Sequence, residues 1–186
     1  MTYKDVKRKV LVLIEEAKKN EPHLTEDPDL EAKLPDVINQ VQYELARFKK
    51  IPKYVEIDVT AGELMDFTAI ERACGYEIYQ ISMVAGVKYI PKANGTVLKF
   101  VEDGTAEIDV FVYPERITSN TKDTHEFELS TDALEIMPYG IAADLLKSDE
   151  SAEYGSIYAA RYREMLQMLD PRYQMTSIYI EGGVNI

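Results

Sequence analysis

The chain has 186 residues, 46% of them hydrophobic and 29% charged, with a formal net charge of -12. That balance suits one compact domain with an insertion, or two small lobes, and excludes a largely disordered chain. It also excludes a protein that grips nucleic acid, because 33 acidic residues against 21 basic ones repel a phosphate backbone. The acidity is uneven: residues 1–53 carry 11 Lys or Arg against 10 Asp or Glu, whereas residues 54–186 carry 10 against 23. No apolar run approaches the ~20 residues of a membrane span, and Met1 to Asn20 lacks a signal-peptide core, so a cytoplasm-like compartment is expected. Cys74 is the only cysteine, which rules out an internal disulfide and a cysteine zinc cage and reads as a small packing residue.

From the N-terminus, Thr2 is placed to cap a helix running to about Lys19, with Val6, Val10, Leu13, Ile14 and Ala17 on one stripe. Asn20 to Pro28 is a polar break. A second helix follows from Asp29, with Leu34-Pro35 kinking or restarting it and Val37, Ile38, Val41, Leu45 and Phe48 forming its apolar face. It ends by Ile51-Pro52.

From Tyr54 the period changes to two, Val55, Ile57 and Val59 alternating with Glu56, Asp58 and Thr60. Asp66 to Cys74 suits a helical turn as well as a strand. The segments Ile78 to Met83, Val87 to Ile90, Thr96 to Val101 and Glu107 to Tyr113 then read as an antiparallel meander. Its turns fall at Ala85-Gly86, Asn94-Gly95 and Asp103-Gly104. A polar loop, Pro114 to Glu126, leads back to helices.

Asp132 and Glu135 have capping-box spacing, and Pro138 is expected to limit a first helical piece and start or kink a second. Small residues Gly140, Ala142 and Ala143 beside Ile141, Leu145 and Leu146 offer a face for close helix approach. Ser148, Asp149 or Ser151 is placed to cap a last helix, on which Tyr154, Ile157, Tyr158, Arg161, Tyr162, Met165 and Leu169 recur at three and four residues. It stops at Asp170-Pro171.

Neither helical pair buries enough apolar surface alone, so residues 1–50 and 130–170 are expected to share a core. The reading is α+β: a four-helix bundle formed by the N- and C-terminal helix pairs, with an inserted antiparallel β-subdomain and a strand-like C-terminal tail. The divisions are 1–52 for the first helices, 53–129 for the β-subdomain and polar loop, 130–170 for the last helices, and 171–186 for the tail.

Constellations with chemistry are few. Asp27, Asp29 and Glu31 start like a calcium loop, but Ala32 and Ile38 stand where Gly and a bidentate Glu are needed. His23 and His125 lie in separate polar loops. Glu107 and Asp109 share a strand face, as a glycosidase pair would, although alternating polar residues on a sheet are far more often simply exposed. Gly182-Gly183 lacks the Lys and the helix of a phosphate loop. The tyrosines at 154, 158 and 162 suit a core or subunit interface. No catalytic, cofactor-binding or metal-ligating residue is therefore expected. The assembly candidates are Met175, Ile178, Tyr179, Ile180, Val184 and Ile186, apolar residues of an alternating tail. Such a tail adds to a neighbour's sheet edge or folds back on its own sheet.

Taken in order, Val112-Tyr113-Pro114, Phe127-Glu128-Leu129, Asp132-Ala133-Leu134-Glu135, Pro138-Tyr139-Gly140-Ile141-Ala142-Ala143, Tyr158-Ala159-Ala160-Arg161-Tyr162 and Met165-Leu166 resemble a known pattern. It is that of the C-terminal half of the head-tail connector (adaptor or neck) proteins of tailed bacteriophages. The likeness spans the chain at the level of element order and is weakest in residues 54–110. It implies a non-enzymatic ring of identical subunits on the portal, which extends the DNA channel and joins head to tail. The implied partners are the portal protein, further copies of the chain, and a tail-side connector or tail protein. DNA would pass without specific binding, and no membrane would be involved. The implied location is the head-tail interface of the virion, after synthesis in the bacterial host cytoplasm. The residues leave two alternatives: a small acidic hydrolase using the sheet face, or a tail-completion protein of the same neck region.

Overall fold

A computed structural model describes residues 1–147 and 152–169. Thr2 caps helix α1 (Tyr3–Leu13) through a capping box: Asp5 N–H donates to the Thr2 hydroxyl at 3.2 Å, and Thr2 N–H donates to the Asp5 carboxylate at 3.0 Å. The expected run to Lys19 is not reached, because Ile14 leaves the helix and Glu15 adopts φ +63°.

Helix α2 (Pro28–Lys49) has Asp27 as its N-cap and Pro28 in its first turn. It does not restart at Pro35 but continues through it. The carbonyl freed there belongs to Glu31, an exposed residue, while fully buried Leu34 and Ile38 anchor both sides.

The β-region is not one meander. Strands β1 (Ile51–Val59), β3 (Ile78–Ala85) and β6 (Gly104–Val112) form one antiparallel sheet in the order β1-β6-β3. Strands β2 (Leu64–Asp66), β4 (Tyr89–Lys92) and β5 (Val97–Phe100) form another in the order β2-β5-β4. Only the Asn94-Gly95 turn makes the hairpin it signals, between β4 and β5. At Ala85-Gly86 and Asp103-Gly104 the chain instead crosses between the sheets. Gly86 is required at its crossing: it has φ +82°, and a β-carbon there would stand 2.5 Å from the Thr105 carbonyl oxygen. The ambiguous segment is helix α3 (Phe67–Cys74), opened by Asp66, which accepts from Ala69 N–H at 2.9 Å, and closed by Gly75 at φ +78°.

Helix α4 (Thr131–Leu145) is continuous through Pro138, and no capping box forms at Asp132. Helix α5 (Ala152–Met168) follows.

The expected bundle of N- and C-terminal helix pairs is not what forms. Helices α1 and α2 scarcely touch; α1, α2 and α5 each pack on α4. The reason is the composition of α4. Ala133, Leu134, Ile136, Met137, Pro138, Gly140, Ile141 and Ala142 are all buried, so the helix is apolar around most of its circumference and takes the centre rather than a corner. One apolar cluster runs from Val6 and Leu34 through Leu45 and Ile141 into Ile108, Val110, Phe100 and Ile70. The small face expected around Gly140 does serve close approach, meeting Tyr162 of α5 and Val41 of α2.

Candidate assembly surface

The exposed face of the first sheet is acidic. In the β1–β6 ladder Glu56 lies opposite Glu107, Tyr54 opposite Asp109 and Asp58 opposite Thr105; in the β3–β6 ladder Met83 lies opposite Asp109 and Ala85 opposite Glu107. Opposed residues share a face. Four carboxylates therefore line it, and none of these register positions holds Lys or Arg. The Tyr54 phenol donates to Glu56 at 2.7 Å, and that bond, reinforced by the surrounding negative charge, pushes its pKa up to about 12. Glu107 and Asp109 thus belong to an open row of like charges along an exposed sheet face.

Where the first sheet meets α2, aromatic rings and cations interleave. Tyr113 packs 4.7 Å from Tyr43 and 5.0 Å from Tyr79. The Arg47 guanidinium lies over the Tyr113 ring and donates to its hydroxyl, Lys50 Nζ stands 4.6 Å above Phe111, and Lys53 Nζ stands 4.1 Å above Tyr76. The Tyr79 hydroxyl donates to the Ala46 carbonyl at 2.9 Å, and burial raises its pKa to about 12. This joint fixes the orientation of the acidic face relative to the helices.

The polar loop 114–126 is tied down twice. Asn39, buried on α2, donates to the Ile117 carbonyl at 2.7 Å and accepts from Ile117 N–H at 2.8 Å. At the other end Tyr3 N–H donates to the His125 carbonyl at 2.8 Å, and Lys4 N–H to the Asp123 carbonyl at 3.1 Å. Buried Lys7 forms an ion pair with Asp123 at 2.7 Å, and its hydrogen bond holds that carboxyl below the usual carboxylate range. The two histidines, remote in sequence, both reach this loop: His23 Nε2 is 3.7 Å from Asp123 and His125 Nδ1 is 3.6 Å from Glu115.

Asp27, Asp29 and Glu31 have a local role. Asp27 accepts from Asp29 N–H at 2.8 Å and Leu30 N–H at 3.3 Å, as a helix cap does. Among the described residues, no three His, Cys, Asp or Glu side chains converge as metal ligands would, and no helix is long and apolar enough to cross a membrane.

The tyrosine stripe of α5 divides. Tyr162 is buried and donates to Glu44 at 2.9 Å, and burial followed by the Glu44 charge raises its pKa. Half-buried Tyr158 donates to the Leu13 carbonyl at 2.5 Å, whereas Tyr154 faces outward. The tail candidates Met175, Ile178, Tyr179, Ile180, Val184 and Ile186 lie outside the described residues, as do the capping candidates Ser148, Asp149 and Ser151.

Sequence reading found the four carboxylates as an alternation but not their pairing across strands. It missed the Asn39–Ile117 clamp, whose one signal is an amide residue directly after Ile38 on the apolar side of α2. No protein-family model matches the chain, and no curated protein is similar enough to count as a relative.

Proposed function

We propose that the protein is a structural head-tail adaptor of a tailed phage or prophage, assembling as a homo-oligomeric ring on the portal and lengthening the DNA channel. The portal, the ring and the tail-side partner come from the resemblance in residues 111–169. The observation that carries the reading is the acidic face of the first sheet, Glu56, Asp58, Glu107 and Asp109 without an interleaved cation. A wall of that sign repels the phosphate backbone at short range, so a duplex slides past it rather than sticking. The same face would serve a soluble protein indifferently, but the rings of Tyr43, Tyr79 and Tyr113 and the cations beside them brace it against α2, as a wall needs.

The experiment is reconstitution with purified portal rings, read by co-sedimentation and electron microscopy, followed by DNA retention. The wild-type chain is expected to decorate portals. Glu56→Lys combined with Glu107→Lys is expected to decorate them equally and to retain DNA in the channel. Residues 174–186 are assigned to portal docking, and their deletion should abolish decoration while leaving the thermal melt unchanged. A full chain that never associates with portals, or turnover that Glu107→Ala or Asp109→Ala abolishes without unfolding, would overturn the reading.

A further inference from the structure

Helix α5 has an outer face that no described residue of the subunit covers. Tyr154 is 63% exposed, Ile157 57% and Met168 75%, and the Arg161 and Glu164 side chains between them are 53% exposed each. These five positions follow one another at spacings of three, four, three and four. That is the spacing of a two-stranded coil, here with three exposed apolar side chains flanking a central Arg–Glu pair.

The seam is complementary to itself in one direction. If two copies of α5 run antiparallel about a two-fold axis midway between residues 161 and 164, Arg161 faces Glu164 of the second copy, and Ile157 faces its Met168. Every contact is repeated by symmetry, as an isologous interface demands. A parallel pair would set Arg161 against Arg161 and Glu164 against Glu164, two like-charge contacts. The Arg161–Glu164 ion pair within one helix, at 2.8 Å, already holds both heads on the seam. Ala160 beside it is small enough for the backbones to approach.

We propose that the outer face of α5 is the docking surface for a second copy of this chain, paired antiparallel through Ile157, Arg161, Glu164 and Met168. A closed two-fold contact consumes itself and does not propagate, so it differs from the head-to-tail contacts that build a ring. The inference stands independently of the adaptor reading. A helix of this length spans only about 25 Å, so the contact belongs among small interfaces with a dissociation constant on the order of micromolar.

The test is sedimentation velocity or light scattering on the full chain without portal, from low micromolar to near-millimolar concentration. Wild type is expected to pass from monomer to dimer. Arg161→Glu, Glu164→Arg and Ile157→Glu should each weaken association at least about tenfold while leaving the melt intact, since all three positions are more than half exposed. The double reversal Arg161→Glu with Glu164→Arg should restore the dimer, because each reversed side chain again faces an opposite charge on the second copy. A wild-type chain that stays monomeric throughout, single reversals that dimerise normally, or a double reversal that remains monomeric would each overturn the proposal. So would a chain that dimerises only after residues 170–186 are deleted, since its own tail would then be the occupant of that face.

Discussion

Gly140 on α4 and Tyr162 on α5 meet so closely that a β-carbon at 140 would stand 2.9 Å from Tyr162 Cε2 and 3.0 Å from Val41 Cγ1. Neither neighbour has room to move: Tyr162 is 8% exposed and Val41 2%. Gly140→Ala should therefore destabilise by about 1–3 kcal/mol in urea melts, despite the better helix propensity of alanine. Pairing it with Tyr162→Leu should recover part of that loss, and strict additivity in the double-mutant cycle would show that the two residues do not compete for space.

Asn39 is the only tie between α2 and the middle of the polar loop that satisfies both backbone groups of one loop residue. Asn39→Ala leaves the Ile117 N–H and carbonyl without partners, at a cost of about 2–4 kcal/mol. Amide exchange should speed selectively across residues 115–121, while β6 stays protected. Unchanged exchange in the loop would mean that Ile117 is held by its own burial.

Acid should loosen the molecule in a defined window. Burial works to raise the Asp132 carboxyl, but the hydrogen bonds from Lys49 and the Ala133 amide outweigh it and hold the pKa at about 2. Hydrogen bonds also lower Asp123, through Lys7, and Asp5, through Thr2. A depressed carboxylate stabilises the fold above its unfolded pKa of about 4 and loses that contribution as pH falls toward its folded value. Urea midpoints should thus fall between pH 4 and pH 2. Asp132 is 53% exposed, so solvent screening limits its share to about 1 kcal/mol or less. Lys49→Met should flatten the slope in that window. A midpoint independent of pH would remove these pairs from the stability of the fold.

Leu45 is fully buried and Leu145 only half so. Leu45→Ala should cost about 2–5 kcal/mol and Leu145→Ala about 1–2, measured by chemical denaturation. Removing residues 1–53 strips α1 and α2 from the centre formed by α4. The remaining fragment should lose its cooperative melt, and a sharp transition in it would contradict the shared core.

What the sequence made legible was local. Thr2, the Asn94-Gly95 turn and the end of α2 all follow from side chains acting within a few residues, and all are where pattern places them. Neither internal proline ends its helix, because whether a helix continues through Pro35 or Pro138 depends on what surrounds the freed carbonyl, which is tertiary information. The bundle failed for a related reason. Periodicity identifies an apolar stripe on α1 and α2, but α4 is apolar on nearly every side, and an all-round pattern points in no direction. The strands β3 and β4 are adjacent in sequence with a glycine between them, and only their pairing with different partners, β3 with β6 and β4 with β5, shows that the turn is a crossing. On the candidate surface, Glu56 and Glu107 each signal exposure by alternation, while their opposition across the ladder has no local signature.

The docking of the first residues onto the loop near residue 125 has a consequence for biosynthesis. The amides of Tyr3 and Lys4 find their acceptors at His125 and Asp123, and Phe127 N–H returns to the Met1 carbonyl at 3.4 Å. Residues 1–4 thus wait for about 120 further residues before their seat on the loop exists. Until then the apolar side of α1, including Val6, Val10 and Leu11, has no native cover. Such long-range closure makes folding slow relative to a helical protein of the same size. A nascent chain stalled before the loop emerges should engage chaperones through α1, and release of α4 (Thr131–Leu145), on which α1 packs, from the exit tunnel should end that engagement.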